Sequence, residues 1–356
     1  MKAAVLRGVK DLRFEDLPVP KPKTGEVLVK IKVAGVCGTD VHMWAGTNYE
    51  GKFPFVPGHE WVGEVVEAGP GVRSLKVGDR VTGECFIPCH VCAVCKNGGA
   101  PAFCRDHDYY GFEWDANGGM AEFHVSPEER LHKIPREVTD DEAALVEPVS
   151  VAYHSIWGRG GGVAPHDRVG IFGAGPIGLF ATQIAKVSGA QVVVVEPQPY
   201  RQKMARHVGA ERIVNPAEKD ALKQIMDLTG GLGFTLIVEC SGNAAGIAST
   251  VDAVAVDGRI VLTGQSMGLK IPIELGKTIW KHATVVGSCG SPGFFPNTIT
   301  FLSKRLIDVT KVVTHRFPLD RVQEAFELGN KGTASGKILL DIEGKAAAGK
   351  KGRKGK

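Results

Sequence analysis

Four uninterrupted apolar runs in the middle of the chain constrain its fold most strongly. They are DRVGIF, AQVVVVE, FTLIVEC and GRIVL, and helical stretches such as residues 177–187 and 200–208 separate them. Strands that are apolar on both faces are typical of parallel sheets, because helices cover both sides of such sheets. The alternation of these strands with helices predicts an α/β fold with a doubly wound parallel sheet from about residue 151.

A glycine motif follows the first of these runs. Gly173, Gly175 and Gly178 form G-x-G-x-x-G before a helical pattern, the context in which glycines admit a pyrophosphate to a helix N-terminus. Glu196 ends the second run, close to the spacing of about 20 residues at which an acidic side chain binds the ribose hydroxyls. Because a carboxylate repels a 2′-phosphate, NAD is predicted rather than NADP. Two alternatives stay open: Glu196 faces solvent, or Arg201 binds a 2′-phosphate.

The first 147 residues have a different pattern. Short apolar runs alternate with turn residues, and Val recurs at every second position in parts of GEVLVKIKVAGVCG and GHEWVGEVVEAG, as in strands. At about 150 residues per domain the length favours two domains, of which the first is mostly β. After residue 287 the alternation lapses, and we expect the chain to return to the first domain. We expect the basic tail, residues 343–356, to be disordered.

Four of the eight cysteines are clustered. Cys89, Cys92, Cys95 and Cys104 give C-x2-C-x2-C-x8-C, and four thiolates at short spacing can enclose one tetrahedral Zn²⁺ with no open position. The alternative, four free thiols in a loop, would be an oxidation hazard. The pattern predicts a structural zinc site, and Cys85 is left over as an ordinary small residue.

A second set of possible metal ligands is spread along the chain. Cys37 lies in GVCGTDVH, His59 and Glu60 in PGHEWVGEVV, and Glu147 in VEPVSVAYHS. Each residue alone is ambiguous, since a single buried Cys or His usually belongs to the core. Together they supply a thiolate, an imidazole and one or two carboxylates, which suit a catalytic zinc that keeps a place for water or substrate.

Charge and hydropathy argue against two classes of partner. Six of the 43 basic residues lie in positions 345–356, so the rest of the chain has fewer basic residues than its 39 acidic ones. Such a body argues against nucleic acid. No stretch reaches the about 20 predominantly apolar residues that cross a bilayer, and the N-terminal apolar segment is too short for a signal peptide. We therefore expect a cytoplasmic protein that has no membrane partner.

The motifs together resemble one family. Gly58-His59-Glu60-x2-Gly63-x5-Gly69-x2-Val72, GAGPIG and THRFPL are similar to the signatures of zinc-dependent medium-chain alcohol dehydrogenases, in the branch of polyol (sorbitol-like) and threonine dehydrogenases. The resemblance covers about residues 1–342. It implies a GroES-like catalytic domain, residues 1–150 and 288–342, with a zinc lobe at about 85–105. It also implies a Rossmann domain, residues 151–287, and an assembly of two or four identical chains.

The resemblance also implies roles for single residues. Cys37, His59 and Glu60 match the ligands of a catalytic zinc, so that one catalytic and one structural zinc per chain are expected. Glu147 matches the fourth position of that site, where it binds the metal directly, binds it through water, or assists proton transfer. Thr39 and His42 match a proton relay. The implied cofactor contacts are Ile177, Glu196 and Arg201, with Thr263, Gly264, Ser288 and Cys289 as weaker candidates.

The substrate implied by the resemblance is a secondary alcohol that is oxidised to a ketone. Glu147 beside the metal favours a vicinal diol or sugar alcohol, since a polar site can bind a second hydroxyl. Phe86, Trp114 and Phe294 would instead suit a cyclic or less polar alcohol. L-Threonine is a further alternative, weakened because threonine dehydrogenases usually have His where Phe86 stands. The x8 spacing before Cys104, where x7 is usual, also departs from the family pattern.

Two rivals belong to other functional classes. One is a non-catalytic NAD-binding relative that kept the fold and lost the chemistry, against which the complete set of zinc and relay residues counts. The other is a zinc-lobe protein that binds nucleic acid through its lysine tail, against which the charge of the body counts.

Overall fold

The computed structural model describes residues 1–47, 52–106, 108–112, 117–265, 267–332 and 334–344. The predictions for Trp114 and for most of the tail, residues 345–356, lie outside the described residues.

The strands and helices are numbered here in chain order. The strands are β1 (Lys2–Gly8), β2 (Asp11–Asp16), β3 (Glu26–Val36), β4 (Glu60–Ala68), β5 (Arg80–Gly83), β6 (Phe86–Ile87), β7 (Asp108–Tyr109), β8 (Phe123–Pro127), β9 (Leu131–Lys133), β10 (Arg168–Phe172), β11 (Gln191–Val195), β12 (Arg212–Val214), β13 (Phe234–Glu239), β14 (Val254–Leu262), β15 (Thr284–Gly287), β16 (Val313–Pro318) and β17 (Lys337–Asp341). The α-helices are α1 (Gly38–Ala45), α2 (Ala93–Lys96), α3 (Asp140–Ala144), α4 (Val146–Tyr153), α5 (Pro176–Val187), α6 (Pro199–His207), α7 (Ala221–Leu228), α8 (Ala244–Ala253), α9 (Leu275–Trp280), α10 (Phe295–Ser303) and α11 (Val322–Lys331). A π-helical segment, His154–Arg159, continues α4.

The N-terminal part is built around one large sheet. Its strand order is β16-β17-β3-β4-β5-β9, and β8 also pairs with β3. β3 is the longest of these strands and is mostly buried, because it lies between neighbours on both edges and under α11. The last strand, β17, runs antiparallel to β3 and pairs Ile338 with Val36. This register brings Lys337, the first residue of β17, to the end of β3 next to the start of α1.

The middle of the chain forms the predicted parallel sheet. Its order is β12-β11-β10-β13-β14-β15, and every pair is parallel. The order reverses between β10 and β13, and such a reversal opens a crevice at the carboxyl ends of the strands. The α/β fold class is confirmed. The short strands β12 and β15 were not predicted, because three or four residues give too little periodicity.

The segment after residue 287 divides between the two sheets. Phe295, Ile299 and Leu302 of α10 share one apolar core with residues of β10 and α5, and α10 packs against α4. Strands β16 and β17 join the sheet of the first part, in line with the expected return of the chain. The domain limits themselves stay a prediction. No helix among the described residues is long and apolar enough to cross a membrane.

Candidate functional site

Three of the predicted metal ligands meet at the end of the β3–β4 pair. Cys37 is the residue that caps the N-terminus of α1, His59 precedes β4, and Glu60 begins it. Their ligand atoms all lie within 4.8 Å of one another. Gly35 lies opposite Glu60 in the sheet, and a Cβ there would overlap Glu60 Oε2. The absence of a side chain at Gly35 therefore makes room for the Glu60 carboxylate.

Asp40 lies beside two of these ligands. Its carboxylate is fully buried and accepts hydrogen bonds from the backbone N–H of Cys37, at 2.9 Å, and of Gly58, at 3.3 Å. Asp40 Oδ1 also lies 3.7 Å from His59 Nδ1. This distance is longer than a hydrogen bond, so the carboxylate acts on the imidazole through its charge. Burial raises the pKa of Asp40, and the charge of His59 opposes that rise.

Lys337 of β17 binds Glu60 from the other side. Its ammonium donates one hydrogen bond to Glu60 Oε1 and another to Val36 O, the second with a length of 3.2 Å. The side chains of Lys337 and Glu60 are both buried. Burial lowers the pKa of Lys337, but the charges of Glu60 and Cys37 more than offset this, so that the pKa is raised. Among the described residues, Glu60 Oε2 has no hydrogen-bond partner. A buried carboxylate oxygen without a donor, next to a thiol and an imidazole, fits a bound cation.

The electrostatics of the cluster also fit a cation. Burial alone would lower the pKa of His59, but Cys37, Asp40 and Glu147 raise it well above its ordinary value. Several acidic groups thus surround one imidazole in a buried space. Sulfur, nitrogen and oxygen ligands in this arrangement match the donor set of a zinc site.

Glu147 lies near this cluster but outside the group of three that meets within 4.8 Å. It is buried in the first turn of α4, and burial raises its pKa to about 7, against the charge of His59. It borders a small cavity whose described lining contains no basic residue. The other lining residues are Glu84, Cys85, Phe86, Pro101, Ala102, Ser291 and Pro292.

Aromatic rings cover the cluster. The rings of His59 and Phe112 are 5.6 Å apart, those of Tyr109 and Phe112 4.0 Å, and those of Phe86 and Tyr109 4.4 Å. Phe294, the third aromatic residue expected near the substrate, instead packs on His154 at 5.0 Å. The rings of Phe86, Tyr109 and Phe112, called the aromatic wall below, shield the ligand residues from water.

The two predicted relay residues lie on α1. Thr39 and His42 are three positions apart, so they share one helix face. Cys37 Sγ and Thr39 Oγ1 are 3.7 Å apart, and His42 Nδ1 lies 3.0 Å from Thr47 Oγ1. Burial lowers the pKa of His42. Thr39 is therefore beside the Cys37–His59–Glu60 cluster, and His42 lies one turn farther along the same helix.

The four clustered cysteines form a second compact group. The ligand sulfurs of Cys89, Cys92, Cys95 and Cys104 all lie within 4.8 Å of one another. The backbone N–H of Cys92 donates to Cys89 Sγ, and that of Cys89 donates to Cys104 Sγ, both at 3.3 Å. Hydrogen bonds from the backbone near Cys95 and Arg105 lower the pKa of Cys92 to about 6. The x8 spacing therefore does not prevent the four sulfurs from meeting, and Cys85 lies apart from them.

The glycine motif has the predicted local structure. Gly173 follows β10 with a φ of +92°, which favours glycine, and Gly175 is the N-cap of α5. A Cβ at Gly178 would overlap Gly173 O, so this glycine lets the helix approach the loop. The N-terminus of α5, with Ile177 in its first turn, points its free amides at the crevice beyond β10.

Glu196 lies directly beside this loop. It follows β11 and is 2% exposed. Its Oε2 accepts from Ala174 N at 2.7 Å, and its Oε1 accepts from Gln198 N at 2.8 Å. Arg201 of α6 donates to Gly332 O at 2.8 Å. Glu196 is thus not a solvent-facing strand end, and part of the Arg201 guanidinium is bound elsewhere.

The four weaker cofactor candidates follow β14 and β15. Thr263 and Gly264 each donate a backbone N–H to Glu239 O at 2.8 Å. The hydroxyl of Ser155, a residue that was not predicted, lies 2.9 Å from Thr263 Oγ1 and 3.2 Å from Ser288 Oγ. Cys289 is exposed and accepts from Gln265 Nε2 at 3.4 Å. The structure therefore brings Thr263 and Ser288 together at the strand ends, and Ser155 links them to the segment that continues α4.

Comparisons with known families agree with this architecture. Residues 23–136 match the family described as Alcohol dehydrogenase GroES-like domain, and residues 176–304 match the family described as Zinc-binding dehydrogenase.

Two curated relatives span nearly the whole chain. An L-threonine 3-dehydrogenase of Pyrococcus furiosus is 36% identical over 338 residues, which are 92% of this chain and 94% of the relative. A sorbitol dehydrogenase of Bacillus subtilis is 32% identical over 331 residues, with 92% and 93% covered.

Solved structures show the same likeness. A 2R,3R-butanediol dehydrogenase from Bacillus subtilis superposes with a TM-score of 0.88 at 31% identity, and 96% of this chain and 99% of that chain are covered. A zinc-binding dehydrogenase from Sinorhizobium meliloti bound to NADP has the same TM-score and coverage at 27% identity. With these matches over both sheets and both cysteine-containing sites, the chain belongs to the medium-chain family of zinc-dependent alcohol dehydrogenases and is an oxidoreductase.

Proposed function

We propose that this enzyme oxidises the secondary alcohol of a short vicinal diol to a ketone and passes the hydride to NAD. The observation that carries the proposal is the placement of one helical segment. Its first turn holds Glu147 near the Cys37–His59–Glu60 cluster, and its continuation holds Ser155 against Thr263 and Ser288 at the strand ends. A substrate at the cluster is thereby adjacent to a cofactor lying along the carboxyl ends of the sheet.

Two zinc ions per chain would complete the sites. Cys37, His59 and Glu60 would hold one, and the four clustered cysteines would hold the other in a closed, structural site. When bound at the first site, zinc lowers the pKa of an alcohol hydroxyl toward neutrality and so favours departure of a hydride.

The side chains of this enzyme then have three tasks. The aromatic wall excludes water, which protects the hydride transfer from side reactions. Thr39, 3.7 Å from Cys37, would accept the hydroxyl proton of the substrate while giving up its own hydroxyl proton toward His42. His42 lies one turn along α1 and is half-buried, so it can release that proton to solvent through its imidazole.

Replacement of His42 by Asn tests this path. The pKa of His42 is lowered by burial, so its neutral form, which accepts the proton, persists below pH 6.5. We expect His42→Asn to lower kcat by about 10²-fold at neutral pH. We also expect wild-type kcat to fall below pH 6.5 as His42 becomes protonated, and this acidic limb to be absent from the variant. A variant with unchanged kcat and an unchanged pH profile would exclude His42 from proton transfer. Thr47→Ala, which removes only the hydroxyl beside His42 Nδ1, should have a much smaller effect.

The cofactor preference follows from Glu196. Its buried carboxylate lies beside Ala174 of the glycine loop. There it would accept hydrogen bonds from the ribose hydroxyls of NAD and repel the 2′-phosphate of NADP. We expect Glu196→Gln to lower kcat/KM for NAD by about 10-fold, the effect of one charge-assisted hydrogen bond, and to raise kcat/KM for NADP. Arg201→Gln is the companion variant. Suppose instead that Arg201→Gln lowered kcat/KM for NADP while Glu196→Gln left kcat/KM for NAD unchanged. Arg201 would then bind the 2′-phosphate of NADP, and Glu196 would not select NAD.

A vicinal diol fits the groups around the cluster. One hydroxyl would meet the metal ligands, and the buried carboxyl of Glu147, whose pKa burial raises to about 7, can exchange a hydrogen bond with the second. The aromatic wall suits short alkyl ends. L-Threonine stays a second candidate because a relative with that activity is 36% identical. Its carboxylate needs a cationic partner, however, and none lines the described cavity beside Glu147.

A screen of NADH absorbance tests the substrate. The panel comprises 2,3-butanediol, sorbitol, L-threonine and cyclohexanol, each with NAD and with NADP. We expect the short diol to exceed the others in kcat/KM by about a thousandfold, or about 4 kcal/mol of barrier. A preference for threonine or cyclohexanol would make that compound the substrate in place of the diol. If the zinc-loaded enzyme turned over none of the alcohols, the hypothesis of a non-catalytic relative would be supported.

We also propose that the enzyme is a homodimer or homotetramer. The support is an apolar face at the open edge of the parallel sheet, where β15 is the last strand. Leu275, Ile279 and Trp280 of α9 and Val285 of β15 are exposed, Trp280 by 85%, and a monomer rarely leaves such a patch uncovered. The cytoplasmic location and the lack of a nucleic-acid partner stay predictions from the sequence.

Light scattering after gel filtration measures the number of chains in the assembly. We expect an oligomer for the wild type and a shift toward monomer for Trp280→Glu, because a charge in an apolar interface is costly. Val256→Glu changes another exposed apolar residue, on β14, and shows how far the interface extends. A monomeric wild type would refute the assembly.

A further inference from the structure

We infer that Gly290 determines how large an alcohol this enzyme accepts, because it sets the position of the Phe86 ring. Gly290 lies in the loop between β15 and α10, residues 288–294. A Cβ built on Gly290 would lie 2.9 Å from Phe86 Cε2, which is closer than non-bonded carbon atoms pack. The ring therefore rests directly on the backbone of this loop. The inference rests on the proposed function in one respect, that the aromatic wall faces the alcohol.

The φ of Gly290 does not by itself require glycine. It is +58°, and His90 and Asp257 adopt φ values of +58° and +55° with a side chain present. What a side chain at Gly290 would lack is space, because the edge of the Phe86 ring occupies it. The absence of a side chain at this position therefore matters for the place of the ring.

The loop is held against the ring by one face of α4 and its π-helical continuation. The side chain of His154 is buried, and its Nδ1 donates to Gly290 O at 2.9 Å, since a carbonyl can only accept. The hydroxyls of Ser150 and Ser291 form a second hydrogen bond between the same two segments. Glu147 lies three positions before Ser150, and His154 lies four after it, so these residues share one helix face. A methyl group on Gly290 would therefore displace the ring rather than the loop.

The displaced ring would move within the site. The ring centroids of Phe86 and Tyr109 are 4.4 Å apart, and Phe86 also lines the small cavity that Glu147 borders. Restoring an ordinary contact with the added methyl moves the ring by about half an ångström or more. Such a shift reduces the space beside Glu147, where the alkyl end of an alcohol would lie.

Gly290→Ala and Gly293→Ala form a matched pair of variants. Gly293 lies in the same loop with a φ of +79°, and a Cβ there meets no atom of the described residues within 4 Å. Both substitutions add one methyl group at a positive φ, but only the first one meets the ring. The measurement is kcat and KM with NAD for two pairs of alcohols that differ by one methylene. The pairs are 2-propanol with 2-butanol, and 2,3-butanediol with 2,3-pentanediol.

We expect Gly290→Ala to lower kcat/KM for the longer alcohol of each pair about tenfold more than for the shorter one, the effect of one methylene in an apolar pocket. The difference should lie mainly in KM, because the wall contacts the alcohol before and during hydride transfer alike. Gly293→Ala should keep the wild-type ratio of the two kcat/KM values. Adding Phe86→Leu to Gly290→Ala should restore that ratio, since the shorter side chain frees the space.

His154→Phe tests the same contact with the opposite sign. This substitution removes the hydrogen bond to Gly290 O but keeps an aromatic ring against Phe294, which packs on His154 at 5.0 Å. The loop and the Phe86 ring can then move apart. We expect the ratio of the two kcat/KM values to shift a few-fold toward the longer alcohol. This variant decides the inference if Gly290→Ala does not fold.

Four results would overturn the inference. They are an unchanged ratio in both Gly290→Ala and His154→Phe, equal changes in the two glycine variants, no restoration by Phe86→Leu, and weaker NADH binding in Gly290→Ala alone. The last result, measured by fluorescence, would place Gly290 at the cofactor instead. Oxidation of the simple alcohols but of neither diol would refute the vicinal diol and leave the ratio for 2-propanol and 2-butanol to decide. A wild type that oxidises none of the four alcohols would refute the proposed function and this inference together.

Discussion

Replacement of His59 by Ala is expected to lower kcat/KM for the alcohol by at least about 10³-fold, which corresponds to about 4 kcal/mol of barrier. The imidazole is one of three groups whose ligand atoms lie within 4.8 Å of one another, and Asp40 lies beside it. Its loss leaves a thiolate and a carboxylate, too few ligands for a catalytic zinc. Elemental analysis should therefore show one zinc per chain in place of two.

The same variant should still bind the cofactor. The glycine loop and Glu196 hold each other through Ala174, and His59 contacts neither. Quenching of protein fluorescence by NADH should thus give an unchanged Kd. Two zinc ions per chain together with wild-type turnover in His59→Ala would remove the cluster from the mechanism.

Cys92→Ser is the matched control, because it also removes one zinc ligand, but from the other group. We expect this variant to lose one zinc as well, with a lower temperature of unfolding, since the four sulfurs would otherwise hold residues 89–104 together. Its kcat per folded molecule should stay within a few-fold of wild type. If Cys92→Ser unfolded at the wild-type temperature, the lobe would not depend on a metal.

The dinucleotide half of the site was predictable from the sequence because its determinants are local. Gly173, Gly175 and Gly178 lie within six residues, and the apolar runs on either side of them indicate a strand and a helix. The position of Glu196 follows from one βαβ unit, in which the end of β11 must lie next to the end of β10. Local pattern and known handedness suffice for such an arrangement.

The groups that support the metal ligands could not be predicted in this way. Lys337 reaches Glu60 across 277 positions of sequence, and only the register of β17 on β3 brings them together. A Lys at the start of the apolar strand KILLD was the available signal, but it is equally typical of an exposed strand end. Asp40 lies within the quoted motif GVCGTDVH, and its role depends on the direction of one side chain at the start of α1.

The link between the two halves was also missed for a physical reason. Ser155 lies in a π-helical segment, and the wider turn of such a segment alters which residues share a face. Helical periodicity from the sequence assumes 3.6 residues per turn. The contact of Ser155 with Thr263 and Ser288 therefore depends on an irregularity that no pattern in the sequence indicates.

Lys337→Met is expected to destabilise the metal-free protein by about 3–5 kcal/mol, the cost of leaving one member of a buried ion pair without its partner. Glu60 is fully buried, and no residue in the described part of the chain donates to its other oxygen. Chemical unfolding in the presence of a chelator measures the loss. Because a bound zinc would neutralise the same carboxylate, adding zinc should recover a larger part of the stability in the variant than in the wild type.

A double-mutant cycle separates the ion pair from packing. Glu60→Gln combined with Lys337→Met removes both charges, and we expect the double variant to be more stable than Lys337→Met alone by about 1–3 kcal/mol, because no unpaired buried charge remains. Lys337→Arg keeps the charge and should preserve most of the stability, with a smaller loss from the larger side chain. If the effects of the two single substitutions on the free energy of unfolding were simply additive, Lys337 would act as a packing residue. The carboxylate of Glu60 would then keep its place beside Cys37 and His59 without Lys337.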